Sequence, residues 1–314
     1  MNHDDVAAER CESLRGEGDE MIAFPPREAK LGPLTIWRAL PVRERRLVGP
    51  WCFLDRYGPV SFTEGRAMDV AEHPHIGLQT VSWLFDGEVL HLDSLGSEAT
   101  ARPGGVNVMT SGSGIAHVEL TPEGHSGRLD GVQLWVALPD IHKDVNPSFH
   151  HLAEVPVTEL RGGRVQTFFG SFGDVQSPAL RFGDAVGADV ACRAGEEIVL
   201  PLARGWEHAL LPVAGAAHVE GQRLAVNTLY YLGTERSELA IRATEDSRLL
   251  LLGGPPFETP ILMWWNFVAR NPEEIAEARK LWEASDHFGA VKGYEGPRIE
   301  APPLNRLARP NPAS

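Results

Sequence analysis

The sequence predicts an all-β protein, and two features of its 314 residues indicate this class. Apolar side chains recur at every second position in several short runs, for example at Val132, Leu134 and Val136, which is the period of a strand with one buried face. Turn-forming tetrapeptides such as RYGP, RPGG and PEGH separate these runs. Short, regularly spaced strands of this kind favour a sandwich or a barrel over alternating strands and helices.

The composition is that of a globular protein, with 43% hydrophobic and 23% charged residues. The formal net charge of -14 repels phosphate backbones and anionic lipid surfaces, so we expect no direct nucleic-acid partner. Cys11, Cys52 and Cys192 form no CxxC pair, which argues against a disulfide framework and a thiolate zinc site. The N-terminus has no apolar signal-peptide core, and no apolar run approaches the ~20 residues of a membrane helix. The sequence therefore predicts a cytoplasmic protein that does not cross a membrane.

The chain divides into two β halves of similar size. The predicted first domain is 1–145, and its residues 1–25 are expected to be mobile. A polar, proline-bearing linker is predicted at 146–160, and the predicted second domain is 161–314.

One helix is predicted near the end of the chain, at 271–284. Asn271 can cap its first turn, and Pro272 suits the first helical position. Apolar residues recur along it at helical spacing, so we expect the helix to dock on a barrel. Residues 300–314 are rich in proline and polar side chains and are expected to form a loosely held tail.

Two pairs of side chains carry the predicted chemistry. In EHPHIGLQTV, His73 and His75 are two residues apart, so in a strand both imidazoles face the same side. In SGSGIAHVEL, His117 and Glu119 have the same spacing and would add an imidazole and a carboxylate from a neighbouring strand. Three nitrogens and one anionic oxygen suit a divalent ion such as Fe(II), Mn(II), Co(II), Ni(II) or Cu(II). Four protein ligands leave positions on an octahedral ion for reactants, so the pattern predicts a catalytic metal site.

The other histidines give weaker signals. His150 and His151 are adjacent and would face opposite sides of a strand, so we expect both to be solvated. His218 and Glu220 are also two residues apart, but no His-x-His pair accompanies them. They are therefore only a weak indication of a second metal site. His91 could line the same cavity as the predicted ligands or lie at the surface. Neither a GxSxG elbow, a GxxxxGK[ST] loop nor an HExxH motif is present.

Six segments of the chain together resemble the pirin family, a group of two-domain cupins. They lie between about residues 34 and 285 and read WRALPVRERRLVGPWCFLDRYGP, EHPHIGLQTV, LHLDSLG, PGGVNVMTSGSGIAHVEL, GVQLWVALP and WWNFVARNPEEIAEA. The resemblance implies a bicupin, in which two antiparallel jelly-roll β-barrels pack face to face and a C-terminal helix follows. It also implies that His73, His75, His117 and Glu119 hold a metal ion in the first barrel, whereas the second barrel is expected to be metal-free.

Two positions depart from the family pattern. The family commonly reads HPHRGFET, whereas this chain has Ile76 in place of the arginine and Gln79 in place of the glutamate. Neither position matches a metal ligand of the family, so metal binding is expected to survive. Gln79 is expected to alter the charge near the site and thereby to tune the metal or the substrate.

The resemblance implies a quercetin 2,3-dioxygenase-like oxidoreductase, which would use dioxygen to open the ring of a flavonol or a related enol-bearing aromatic. The expected cofactor is Fe(II), with Mn, Co, Ni, Cu or Zn as alternatives. Glu119 would serve as a ligand and as the catalytic base that accepts the enol proton. Phe53, Trp83 and Met109 are expected to line the substrate cavity. The alternative is a metal-binding, redox-responsive regulatory protein that binds a protein partner without turnover.

Overall fold

The structure is a computed structural model that describes residues 8–12, 20–31, 34–62 and 68–304. Strands dominate these residues, and one α-helix lies near the end of the described chain. The strands of the first half are β1 (Glu9–Cys11), β2 (Ile22–Phe24), β3 (Arg27–Leu31), β4 (Leu34–Leu40), β5 (Trp51–Ser61), β6 (Asp69–His75), β7 (Leu78–Gly87), β8 (Val89–Asp93), β9 (Glu98–Ala101), β10 (Val106–Thr110), β11 (Ile115–Leu120), β12 (Arg128–Ala137) and β13 (Ser148–Leu152), with a short 3-10 helix at Asp140–His142. The elements of the second half are β14 (Val157–Leu160), β15 (Gly163–Phe172), β16 (Val175–Gln176), β17 (Val186–Cys192), β18 (Glu197–Pro201), β19 (Glu207–Ala214), β20 (Ala217–Val219), β21 (Gln222–Arg223), β22 (Leu229–Tyr231), β23 (Glu238–Ala243), β24 (Ser247–Gly254), β25 (Ile261–Trp264), β26 (Phe267–Ala269) and helix α1 (Pro272–Ala284).

Two β-barrels account for most of these strands, and each combines a large and a small antiparallel sheet. The first barrel joins a large sheet of order β13-β10-β7-β12-β5-β4-β3 to a small sheet of order β6-β11-β8-β9. The second barrel joins a large sheet of order β14-β15-β17-β24-β19-β22-β2, where β16 also pairs with β15, to a small sheet of order β18-β23-β20-β21. The predicted all-β class with two barrels is therefore confirmed.

The two large sheets pack face to face, and their contact forms the main hydrophobic core. Val81 and Trp83 of the first large sheet belong to the same buried cluster as Phe168 of the second. The rings of Trp83 and Phe168 stack with their centroids 5.0 Å apart, and the Trp83 indole donates a 2.8 Å hydrogen bond to the Asp189 carboxylate. Successive residues of a strand face opposite sides of a sheet. Ser82, between Val81 and Trp83, therefore faces the interior of the first barrel.

Segments near both ends of the described chain lie on the opposite barrel. Near the N-terminus, β2 pairs with β22 at the edge of the second large sheet. Near the C-terminus, Phe267 bridges to Ile76, the residue that follows β6, and Trp282 of α1 shares a buried cluster with Ala116 and Val118 of β11. The helix thus docks on the first barrel, beside the two strands that carry the predicted ligands.

Helix α1 begins as the sequence predicts. The Asn271 side chain accepts a 2.9 Å hydrogen bond from the Glu274 amide, and Pro272 occupies the first helical position. The buried side of the helix consists of Ile275, Ala278 and Trp282. No helix within the described residues has the length and apolar character that crossing a membrane requires.

Residues 146–160, predicted to be a linker, contain two strands instead. β13 pairs with β10 of the first large sheet, and β14 pairs with β15 of the second. Both strands lie at sheet edges, where polar side chains are common, and this explains why the sequence shows no clear alternation there. The chain passes from one barrel to the other within 153–156.

The two ends that were expected to be mobile or loosely held also carry defined contacts. β1 and β2 lie within the first 25 residues, and β1 pairs with β25 while β2 pairs with β22. In the expected tail, the Pro302 carbonyl accepts a 3.0 Å hydrogen bond from Arg279 of α1. Residues 1–7, 13–19 and 305–314 lie outside the described residues.

Candidate metal centre

Three histidines of the first barrel form a compact buried cluster. His73 and His75 lie at the end of β6, and His117 lies on the antiparallel neighbour β11, directly opposite His73. One ring nitrogen from each histidine lies within 4.8 Å of the other two. No member of the cluster is more than 6% exposed. The structure thus brings together three of the four predicted ligands.

A glycine next to the HPH segment allows a second element to approach the cluster. A Cβ atom at Gly77 would lie 2.0 Å from the Val268 carbonyl oxygen, and Gly77 has a φ of +70°, which side chains rarely adopt. The Val268 amide donates a 3.1 Å hydrogen bond to the Ile76 carbonyl. This close approach of β26 brings the turn residue Asn266 next to His75.

Backbone carbonyls fix the proton positions of two of the three rings. His73 donates from Nδ1 to the Ala71 carbonyl at 2.8 Å, and His75 donates from Nδ1 to the Asn266 carbonyl at 3.0 Å. Because a carbonyl oxygen only accepts, the proton of each neutral ring must be on Nδ1. Nε2 of both rings is therefore left as a lone-pair donor.

His91 and Asp93 fix the proton of the third ring. The Nδ1 atoms of His91 and His117 are 3.3 Å apart, and His91 Nε2 lies 3.2 Å from an Asp93 carboxylate oxygen. Burial alone would raise the pKa of Asp93, but hydrogen bonds from His91 and Ser97 lower it below its usual value. With His91 neutral, the carboxylate accepts from His91 Nε2, His91 Nδ1 accepts from His117 Nδ1, and the proton-free nitrogen of His117 is Nε2. That atom is buried and has no hydrogen-bond partner among the described residues.

The cluster suits a divalent metal ion. Burial lowers the pKa of His73 to about 4 and holds those of His75 and His117 well below the usual value, so all three rings are neutral at pH 7. Neutral imidazoles are common ligands of Fe, Ni, Cu and Zn. A buried polar atom without a partner, such as His117 Nε2, is costly unless a ligand or ion satisfies it.

Glu119 lies on the same strand as His117, but its carboxylate is not part of the compact group. The register of β11 against β6 shifts between His117 and Glu119, and such a bulge re-aims the following side chain. The carboxylate is buried and accepts a 3.3 Å hydrogen bond from the Ser82 hydroxyl. Burial raises the pKa of Glu119 to about 7, against the lowering effect of its hydrogen bonds with Ser82 and Gln133.

Aromatic side chains flank the cluster inside the first barrel. The Trp135 ring meets His75 edge-on with centroids 5.2 Å apart, and Phe53 stacks on Trp135 at 4.1 Å. On the other side, Phe149 stacks on His91 at 4.2 Å. Met109 is buried directly opposite Phe149 in the neighbouring strand.

Two expectations about this cavity are wrong. Trp83 faces the second barrel, where it contacts Phe168 and Asp189, so it cannot line a cavity at the histidines. Gln79 lies on the same face of β7 as Trp83, and its side chain donates a 3.0 Å hydrogen bond to the Leu180 carbonyl of the second half. The glutamine therefore does not set the charge beside the histidines. The reason is the same in both cases. The two-residue period of a strand shows which side chains share a face, but it does not show which face lines the barrel interior and which packs against the other barrel.

The remaining predicted positions lie away from the cluster. His150 and His151 are exposed on β13. Within the described residues His218 and Glu220 belong to no group of converging ligands, and Glu220 instead pairs with Arg236.

One residue beside the cluster that the sequence did not predict is Asp93. It lies two residues after His91 in LHLDSLG. This spacing equals that of the two ligand pairs, and it is the signal that would have pointed to the contact between Asp93 and His91.

Comparisons with known proteins agree with the two-barrel fold. Residues 34–136 match the family Pirin, and residues 187–289 match the Pirin C-terminal cupin domain. The chain is 44% identical over 276 residues to the Pseudomonas aeruginosa protein named "Putative quercetin 2,3-dioxygenase PA1205", covering 87% of each chain. It is 37% identical to a pirin-like protein of Caulobacter vibrioides, covering 84% of this chain and 93% of that protein.

A solved structure supports the same relationship. The crystal structure of a quercetin 2,3-dioxygenase from Acinetobacter baumannii superposes with a TM-score of 0.88 at 41% identity, covering 92% of this chain and 97% of that one. The two barrels, the family matches and these similarities over most of both chains agree with one another. The chain belongs to the pirin family of two-domain cupins.

Proposed function

We propose that the protein is a metal-dependent dioxygenase that opens the ring of a flavonol such as quercetin, or of a related enol-bearing aromatic. The observation that carries this proposal is the set of three buried, neutral imidazoles in the first barrel, each of which offers a ring nitrogen within 4.8 Å of the other two. The similarity to proteins named as quercetin 2,3-dioxygenases supports the substrate class and the use of dioxygen.

In this proposal His73, His75 and His117 hold a divalent ion, with Glu119 as the fourth ligand. Fe(II) is the proposed ion, and Mn, Co, Ni, Cu or Zn are alternatives that the same donor set accepts. When bound, such an ion would supply Lewis acidity toward the enol oxygen and redox capacity toward dioxygen.

The protein's own residues would bind the substrate and move one proton. The buried Glu119 carboxylate would accept the enol proton, while the Ser82 hydroxyl orients it through the 3.3 Å hydrogen bond. The stacked rings of Phe53 and Trp135 would exclude water and hold a flat substrate next to His75. The net charge of -14 disfavours a direct nucleic-acid partner.

Metal content and oxygen uptake test the proposal. We expect the purified protein to contain a transition metal by mass spectrometry, and to consume oxygen and quercetin in matched amounts. His117→Ala should lose both metal and turnover, whereas the control His150→Ala, at an exposed histidine, should keep both. Glu119→Gln should lower turnover by ~10²- to 10⁴-fold, the usual contribution of a general base.

Two results would contradict it. If His117→Ala retained metal and turnover, the ligand assignment would be wrong. If the protein held metal but took up no oxygen with a panel of enol-bearing aromatics, it would instead fit the metal-binding regulatory protein that acts through a protein partner.

A further inference from the structure

A cleft between the two barrels has the features of a second binding site. Its cavity of about 400 Å³ falls within the range of ~300–1,000 Å³ that is typical of small-molecule sites. Gln79 and Val136 of the first barrel line one side, and Phe169 and Phe182 of the second barrel line the other. We propose that this cleft binds a flat aromatic molecule that carries an N–H or O–H donor and no negative charge. The inference goes beyond the proposed function, because none of the three clustered histidines lines the cleft.

The first large sheet separates this cleft from the histidine cluster. Trp135 and Val136 are neighbours on β12 and therefore point to opposite faces. The Trp135 ring lies 5.2 Å from that of His75, whereas Val136 lines the cleft. A molecule in the cleft is thus on the far side of the sheet from the proposed metal.

Gln79 supplies a buried hydrogen-bond acceptor at the wall of the cleft. Its side chain is fully buried, and Nε2 donates to the Thr110 hydroxyl at 2.9 Å and to the Leu180 carbonyl at 3.0 Å. Because a carbonyl can only accept, the contact with Leu180 fixes which end of the amide is Nε2. Oε1 is then left without a hydrogen-bond partner among the described residues, in a side chain that lines the cleft. A ligand that donates a hydrogen bond would satisfy this atom.

The walls and the mouth of the cleft define the rest of the ligand. Phe169, Phe182 and Phe257 provide aromatic surface for a flat ring, and Ile141 at the mouth is 85% exposed. An apolar side chain this exposed would gain burial if a ligand covered it. The chain therefore presents apolar surface from the interior of the cleft to its mouth.

The charge at the mouth disfavours an anion. Among the residues that the structure describes, three carboxylates line the cleft, and no lysine or arginine does. Arg270 pairs with Asp140, and Arg181 pairs with Asp184. The third carboxylate, Glu258, leaves the mouth with a net negative charge, so a neutral or cationic ligand is favoured.

Three related probes test the inference by isothermal titration of the full chain. Indole is flat and has one N–H donor, 1-methylindole lacks only that donor, and indole-3-acetate adds a negative charge. We expect saturable binding of indole, at least tenfold weaker binding of 1-methylindole, and weaker binding of indole-3-acetate. Gln79→Met, which removes the acceptor at similar volume, should abolish the difference between indole and 1-methylindole.

Two further variants keep the test decisive if Gln79→Met does not fold. Ile141→Asp changes only an exposed side chain at the mouth and should weaken indole binding several-fold, whereas Val199→Asp, at an exposed position outside the cleft, should not. His117→Ala should leave indole binding unchanged, because the first large sheet separates the cleft from the histidine cluster. Absence of saturable indole binding, equal affinities for indole and 1-methylindole, or loss of indole binding in His117→Ala would each overturn the inference.

Discussion

The Nδ1 atoms of His91 and His117 lie 3.3 Å apart, and this contact determines which nitrogen of His117 is free to bind a metal. Only one of the two atoms can carry the proton between them. With His91 neutral, Asp93 accepts from the far nitrogen of its ring, Nε2, so the proton between the two rings belongs to His117 Nδ1. A carboxylate that does not belong to the cluster thus sets the donor atom of a proposed ligand, as outer hydrogen bonds commonly do at metal sites.

Asp93→Asn should reverse these proton positions. The amide nitrogen would face His91 Nε2 and donate to it, which moves the His91 proton to Nδ1 and the His117 proton to Nε2. We expect the affinity for divalent metal to fall by ~10- to 100-fold, the usual effect of losing an outer partner. A competition titration against a chromophoric chelator measures the affinity, and ¹⁵N NMR of the metal-free protein reports the His117 tautomer.

The matched control is Asp86→Asn, because Asp86 pairs with Arg128 at the surface of the same barrel. It should change neither the affinity nor the tautomer. An Asp93→Asn protein that keeps the proton on His117 Nδ1 and binds metal as tightly as the wild type would contradict the assignment.

Trp83→Phe should weaken the contact between the barrels without affecting the histidines. The change removes the hydrogen bond from the indole to the buried Asp189 carboxylate, while the ring contact with Phe168 can remain. We expect the free energy of unfolding to fall by ~1–3 kcal/mol in a urea titration. The control Trp37→Phe, at a partly buried tryptophan, should cost less than ~1 kcal/mol. A loss of metal in Trp83→Phe would contradict its placement on the far side of the sheet.

His208 should make the stability of the protein dependent on pH. Burial lowers its pKa to about 4, against the opposing effect of a hydrogen bond with the Trp206 backbone. Below pH ~6.5 the unfolded chain binds a proton at this residue that the folded protein does not bind until the pH approaches 4. The contribution to stability is therefore present above pH ~6.5 and is lost as the pH falls toward 4.

Urea titrations at several pH values measure this effect. The free energy of unfolding of the wild type, relative to that of His208→Leu, should fall by about 3 kcal/mol between pH 7 and pH 4. The same comparison with His150→Leu, at an exposed histidine, should show no such change. A flat difference between wild type and His208→Leu would contradict the buried, neutral state of the ring.

The three cysteines should be unreactive in the folded protein. All are buried, and burial raises the pKa of Cys11 and Cys192 to about 12 and that of Cys52 well above its usual value. Because the thiolate is the reactive form, Ellman's reagent at pH 8 should label none of them before unfolding and all of them in guanidinium chloride. Ser126→Cys, at an exposed position, should add one thiol that reacts at once. Rapid labelling of the wild type would contradict the burial of these side chains.

Much of the fold and part of the site follow from local patterns. Asn271 and Pro272 predict the start of α1, because capping depends on neighbours only a few residues away. The spacing of His73 and His75 likewise predicts that both rings face one side of β6. Local patterns do not predict β13 and β14. Both are edge strands with mostly polar side chains that are half-buried or exposed, so their sequences lack the alternation of apolar and polar residues.

The sequence by itself determined the all-β class, the C-terminal helix and the side-chain pairs that could bind a metal. Only the tertiary structure decided that Asp93 reaches His117 through His91, that the register of β11 against β6 shifts between His117 and Glu119, and that Gln79 lines the cleft. The physical reason is that the two-residue period of a strand determines only which side chains of that one segment share a face. The register between distant strands and the packing of one barrel on the other arise from contacts between residues far apart in the chain.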